Sequence, residues 1–327
     1  MGVRYIIVGG FSIDTLLFPG ANEPRVLCGG NAPYAAIGAA IWARRTGDIG
    51  IVGTVGTTYP RAWIGVLRAT GIDLAGVEEI SEDHMLTFRA SYDAAGHRHV
   101  DTGELAPCKA RARALPAMVR LPAAYLQAEV VLCCQYGLEA QREHARYLHR
   151  HGLRVFLDPS EEQSASLSER GLRELVRSVE AFLPSEMEVP AFLAADLSLQ
   201  PERVARALGG YGPRVVAVKL GQRGSVIYDR SRTAALVVSA YPTTVVDPTG
   251  AGDAYAGGFM VSYIETGDPL EAALRATVSA SLVVERVGAL AAIQELALLR
   301  REARARLEQL RRLDHERPST RGLGATK

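Results

Sequence analysis

Lysine is nearly absent. Of 37 Lys and Arg residues only three are lysines, Lys109, Lys219 and Lys327. They follow Cys108, Val218 and Thr326, so the chain has no Gly-Lys pair. A Walker A loop needs that pair to reach the β- and γ-phosphates, which excludes the P-loop class. Cysteine is scarce too. Cys28, Cys108, Cys133 and Cys134 show no Cys-x-x-Cys spacing, so neither a zinc knuckle nor a secreted disulfide scaffold is indicated. No charge-free apolar stretch reaches the roughly 18 residues of a membrane span. The apolar run near the N-terminus stops at Gly9-Gly10, too short for a signal peptide. A formal net charge of +1 gives no strong field for nucleic acid or an anionic membrane. The expectation is a soluble chain in a reducing, cytoplasmic setting, with no nucleic-acid or membrane partner.

What is present is an ordinary globular balance. The chain has 327 residues, 48% apolar and 22% charged. That suffices for one large α/β core with a small appendage, or for two domains. Near-continuous apolar runs at 5–8, 130–133, 154–157, 181–183, 215–219 and 225–228 read as strands covered on both faces. Helical patterns lie at about 33–45, 60–70, 139–151, 168–178, 200–208, 252–266, 269–286 and 293–313. The alternation predicts a mostly parallel, doubly wound sheet flanked by helices. Two stretches break it. An apolar run at 15–18 follows Asp14, and 85–92 alternates, turns at 93–96 and resumes at 97–102. Together they predict a small projecting β-sheet, a candidate lid. The last helix pairs Glu302 with Arg306 and Glu308 with Arg312, which reads as a solvated face. A disordered tail is expected from about 315.

The chemistry concentrates in Asp247-Pro248-Thr249-Gly250-Ala251-Gly252-Asp253, followed by Ala254-Tyr255-Ala256-Gly257-Gly258-Phe259. The strand-like 243–246 precedes it and a helix follows. Gly250 and Gly252 let the backbone turn its N–H groups outward at a helix N-terminus, which makes an anion site. A carboxylate there would repel a phosphate. Asp253 makes sense if it takes the proton from a hydroxyl that attacks a phosphoryl group. Its plainer reading is a helix cap. A dinucleotide fingerprint fails, because Tyr255 stands where the third glycine belongs.

The thirteen-residue string resembles the C-terminal signature of the PfkB carbohydrate kinase family, whose fold is ribokinase-like. Other stretches resemble it as well. Val8-Gly9-Gly10-Phe11-Ser12-Ile13-Asp14 looks like the family's first strand ending in a substrate-binding Asp, although Asp14 alone also reads as a turn residue. Gly29-Gly30-Asn31-Ala32-Pro33-Tyr34 looks like the N-terminal Gly-Gly signature, and 52–73 like the next βα unit. Lys219, Gly221 and Gly224 match the strand and glycine turn that contact nucleotide phosphates. Ser185-Glu186-Met187-Glu188 falls where the family has Asn-x-x-Glu, with Glu188 as the carboxylate that organises magnesium. Asp247 matches a position near a monovalent cation.

The resemblance therefore implies one kinase domain over 1–314 with a lid from about 12–20 and 84–105. It implies ATP and Mg2+, optional K+ activation, and a homodimer. Asp253 would be the general base, with the Gly250, Ala251 and Gly252 amides as the anion hole. Asp14, Gly29, Gly30, Asn31 and Tyr34 would hold a sugar or sugar-like acceptor. Tyr34 replaces a common Asn and offers a stacking face, which keeps a nucleoside open as the acceptor. Ser185 replaces the metal-site Asn. A phosphosugar would need a cationic pocket, for which Arg89 and Arg98 are candidates. A non-catalytic sugar- or nucleotide-binding regulator is the alternative from another class.

Overall fold

Apolar runs with no polar face become the interior of a nine-stranded sheet. The computed structural model describes residues 2–84, 86–93, 98–100, 121–159, 167–189, 193, 200–232 and 234–315. Strands β1 (Tyr5–Val8), β4 (Ile49–Val55), β5 (Asp73–Glu79), β8 (Val130–Cys133), β9 (Arg154–Leu157), β10 (Ala181–Phe182), β11 (Val215–Lys219), β12 (Ser225–Asp229) and β13 (Leu236–Val238) build it. Their order is β13-β12-β11-β10-β9-β8-β1-β4-β5. Pairing is parallel from β11 through β5, and β12 and β13 are antiparallel.

Helices lie on both faces. They are α1 (Asn31–Trp42), α2 (Arg61–Ala69), α3 (Leu138–Arg150), α4 (Glu169–Val176), α5 (Pro201–Gly209), α6 (Ala251–Thr266), α7 (Pro269–Val283), α8 (Ala289–Gln294) and α9 (Leu296–His315). Side chains alternate across the sheet: Ile7 and Leu132 join one core cluster with α1, α6 and α7, while Ile6, Val8 and Val131 join the other with α3, α4 and α5. Among the described residues no helix is long and apolar enough to cross a membrane.

A second, four-stranded sheet stands apart, in the order β3-β2-β6-β7, from β2 (Ser12–Leu17), β3 (Arg25–Gly29), β6 (Thr87–Tyr92) and β7 (Arg98–Val100). The expected appendage thus gains β3, whose Arg25-Val26 start is exposed and carries no apolar alternation. Of the expected stretch 84–105, residues 85, 94–97 and 101–105 lie outside the described residues, and so does 316–327 of the expected tail.

Three local expectations are corrected. No strand forms at 243–246, where Val245 and Val246 are about half exposed; its backbone is hydrogen-bonded at the end of the segment, by Val246 N–H to the Val284 carbonyl at 2.8 Å. The pattern at 293–313 divides into α8 and α9 at Glu295. Arg306 does not lie on a solvated face: it turns inward, 15% exposed, towards Glu285 at 2.7 Å.

Candidate active site

The turn before α6 is built by one buried carboxylate. Asp247, 1% exposed, accepts the Thr249 N–H at 3.0 Å on one oxygen and the Gly288 N–H at 3.0 Å on the other. Gly250 then adopts φ 76° and caps α6. A Cβ there would lie 2.1 Å from Cγ of Tyr34, so the backbone packs directly on that ring. Ala251 and Gly252 open the helix, and the first amides of a helix have no carbonyl partner within it. Asp253 sits in the first turn, partly buried.

Two cavities meet at this turn. The larger, about 890 Å³, is lined by Lys219, Gly221, Gly224, Glu188 and the residues 250–253, among others. The smaller, about 100 Å³, is lined by Asp14, Gly30, Asn31, Tyr34, Phe88 and Thr249, among others. Gln135, Gly250 and Asp253 line both. The pair lies beyond the carboxyl ends of β1, β8, β9 and β11, near where the strand order reverses beside β1. That is the general position for ligands in open α/β sheets.

The floor of the large cleft is charged. Lys219 Nζ lies 2.7 and 2.8 Å from the two oxygens of Asp158, and both residues are buried. Burial works against the ammonium, but Asp158 and Glu188 hold its pKa above the ordinary lysine value. Burial raises the Asp158 carboxyl above the usual range, against the pull of Lys219. It raises Glu188 too. Glu188 accepts the Ser185 N–H on one oxygen and the Gln135 amide at 3.2 Å on the other. A Cβ added to Gly252 would lie 3.5 Å from Lys219 Nζ, so the ammonium sits beside the turn that opens α6.

At the smaller cavity, Asp14 is 3% exposed and takes a hydrogen bond from Ser12 Oγ at 2.5 Å. A Cβ at Gly29 would overlap the Asp14 carboxylate, so the missing side chain is the space that carboxylate occupies. Asn31 accepts the Gly10 N–H at 2.8 Å and donates to the Gln135 carbonyl at 2.5 Å, bridging the ends of β1 and β8. Tyr34 is buried, with Gly250 against its ring, so the face expected for stacking is covered on that side. Arg89 is exposed and lines neither cavity; the side chain of Arg98 lies outside the described residues.

The structure thus brings Asp14, Gly30, Asn31, Tyr34, Lys219, Gly221, Gly224, Glu188 and 250–253 to the two cavities, whereas Gly29 acts behind Asp14 and Asp247 acts within the turn. Sequence reasoning missed Asp158, Gln135 and Thr249. The signal for Asp158 was its place, directly after the apolar strand 154–157 and before a proline. Gln135 lies two residues past the end of β8. Thr249 is hydrogen-bonded at 2.6 Å to the hydroxyl of Tyr92 on β6, a partner no local pattern announces.

Among the described residues, no group of three or more His, Cys, Asp or Glu side chains is arranged to hold a metal. A hard cation held by one carboxylate, with the remaining oxygens from phosphates and water, suits the buried Glu188 facing the cleft.

The family model for pfkB family carbohydrate kinases matches residues 38–296. The cytidine kinase of Thermococcus kodakarensis is 30% identical over 270 residues, which cover 83% of this chain and 91% of that one. Among solved structures, Arabidopsis thaliana ribokinase complexed with ribose and ATP superposes with a TM-score of 0.69 at 19% identity, over 92% of this chain and 99% of that one. A putative ribokinase II from E. coli in complex with ATP and Mg2+ gives 0.68 at 18%, with the same coverages. The fold is therefore ribokinase-like. With the family model spanning most of its length, this chain belongs to the pfkB family of carbohydrate kinases and is a phosphotransferase.

Proposed function

We propose that the chain transfers the γ-phosphoryl group of ATP to a pentose hydroxyl of a nucleoside. The observation that carries this is the position of Asp253 on the boundary of both cavities. A donor in the large cleft and an acceptor in the small one would meet there. Asp253 takes the proton from the attacking hydroxyl, a role worth about 10²–10⁴-fold. Amides at 250–252 bind the negative charge that develops, and loss of one such donor costs about 3–4 kcal/mol. Lys219, aimed by Asp158, neutralises donor phosphates. Asp14 accepts hydrogen bonds from sugar hydroxyls. Bound at Glu188, magnesium would supply further neutralisation of the phosphates. The second sheet, which contributes Phe88 to the acceptor cavity, excludes water when an acceptor is bound.

The nucleoside is favoured over a free sugar by the cytidine kinase relative, which aligns along most of both chains. Phe88 adds a ring face at the acceptor cavity. The second reading, a free pentose, is favoured by the small volume of that cavity, about 100 Å³.

The test is ADP release from ATP and magnesium against nucleosides, pentoses and phosphosugars, with and without potassium. Turnover on one acceptor, falling about 10²–10⁴-fold in Asp253→Asn with ATP binding retained, is the expected outcome. Turnover unchanged in that variant removes Asp253 from the chemistry. A free pentose outrunning every nucleoside selects the second reading.

A further inference from the structure

One wall of the large cleft is irregular. Ala240, Tyr241, Pro242, Thr243, Val245 and Val246 line it, in a segment with no strand or helix of its own that runs straight into the Asp247 turn. Its polar side chains are held by α9 and by the chain just after α7. The Tyr241 hydroxyl donates to Gln309 Oε1 at 2.6 Å, and the Arg306 guanidinium lies 5.1 Å above the Tyr241 ring. Thr243 Oγ1 donates to one oxygen of Glu285, whose other oxygen is 2.7 Å from Arg306 Nη2. Arg306 Nη1 also donates to Ser281 Oγ at 3.2 Å, and Ser281 lines the cleft too. One arginine, 15% exposed, therefore joins three residues of the cleft wall from two pieces of the chain, Tyr241 and Thr243 in the irregular segment and Ser281 on α7.

We propose that Arg306 is a positioning residue for the phosphoryl donor. It touches neither cavity, but it fixes Tyr241 directly and Thr243 through Glu285. It thereby sets the shape of the wall that a bound nucleotide must meet. Planar and always charged, a guanidinium can stack on a ring and pair with a carboxylate at once, which a lysine ammonium cannot reproduce. Donor affinity then depends on a residue about 50 positions beyond the catalytic turn, whereas the proton transfer at Asp253 does not. This rests on the reading of the large cleft as the ATP site.

The experiment is calorimetric binding of a non-hydrolysable ATP analogue, with steady-state kinetics, on the full chain and on Arg306→Met, Arg306→Lys and the exposed control Arg312→Met. Arg306→Met is expected to raise Kd and KM for the donor about tenfold, the size of one charge-assisted contact. Its kcat stays within about twofold, and its acceptor KM does not move. Arg306→Lys recovers part of the loss, and Arg312→Met matches the parent chain. If Arg306→Met does not fold, Gln309→Leu, which removes only the bond to the Tyr241 hydroxyl, is expected to raise the same constants about threefold. Donor binding unchanged in the folded variant overturns the proposal. So does an equal loss in kcat and both KM values with a lowered Tm, which marks a purely structural role. A parent chain that binds no analogue overturns the cleft reading and the proposal with it.

Discussion

At the scale of single residues, Gly250 is constrained twice over. Its φ of 76° lies where side chains are strained, and a Cβ there would collide with the Tyr34 ring. Gly250→Ala is expected to cost about 1–3 kcal/mol of stability. It should also raise the acceptor KM, because Tyr34 must move and Tyr34 lines the acceptor cavity. Chemical denaturation and acceptor kinetics check the two effects; an unchanged midpoint would show that the turn relaxes freely. The glycines of this turn were legible in the sequence because their requirement is local. The Tyr34 ring was misjudged in part, since what covers it comes from a residue 216 positions away. Asp158 went unread for the same reason: its partner Lys219 is brought beside it only by the order of β9, β10 and β11.

At the scale of elements, buried parallel strands announce themselves, because apolar residues on both faces leave a near-continuous run. The edge pieces do not. Segment 243–246 has a strand-like composition, yet no neighbour offers it a ladder, and it stays irregular. The two crossings into the second sheet are joined by His84. Its Nε2 hydrogen-bonds the Phe11 carbonyl at 2.9 Å, and its Nδ1 accepts the Gly56 N–H at 3.1 Å. Nearby, Ile13 N–H donates to the Leu86 carbonyl at 3.0 Å. With the Phe11 carbonyl taking the Nε2 proton and the Gly56 N–H donor occupying Nδ1, the ring has no room for a second proton, and burial lowers the His84 pKa below the usual value of 6.5. The unfolded chain therefore takes up that proton first. The His84 contribution is full above pH 6.5 and is lost as pH falls through the lowered folded value. Thermal unfolding from pH 7.5 down to 4.5 should show Tm dropping more in the parent chain than in His84→Gln, relative to each protein's own value at neutral pH. Parallel curves would remove His84 as the cause.

At the scale of the whole molecule, the thiols report how completely the two core layers close. Cys28, Cys133 and Cys134 are all buried. Burial pushes the Cys28 and Cys133 thiols up to about 12, and Cys134 well above its ordinary value. A thiol reagent at pH 8 should react slowly with Cys28, Cys133 and Cys134 in the native chain and quickly with them after unfolding. A fast reaction of any of these three thiols would mean that the core around β3 and β8 opens readily.

The hydrogen bond between Tyr92 and Thr249 has one more consequence. It ties the second sheet to the turn that opens α6. The two cannot part without disturbing that turn, because Thr249 stands between Asp247 and Gly250. On the proposed reaction, a second sheet that parts from this turn also loosens the amides that hold the transferring group. Water then enters the cleft only as the anion site weakens, which makes the parted form of the proposed kinase a poor ATPase.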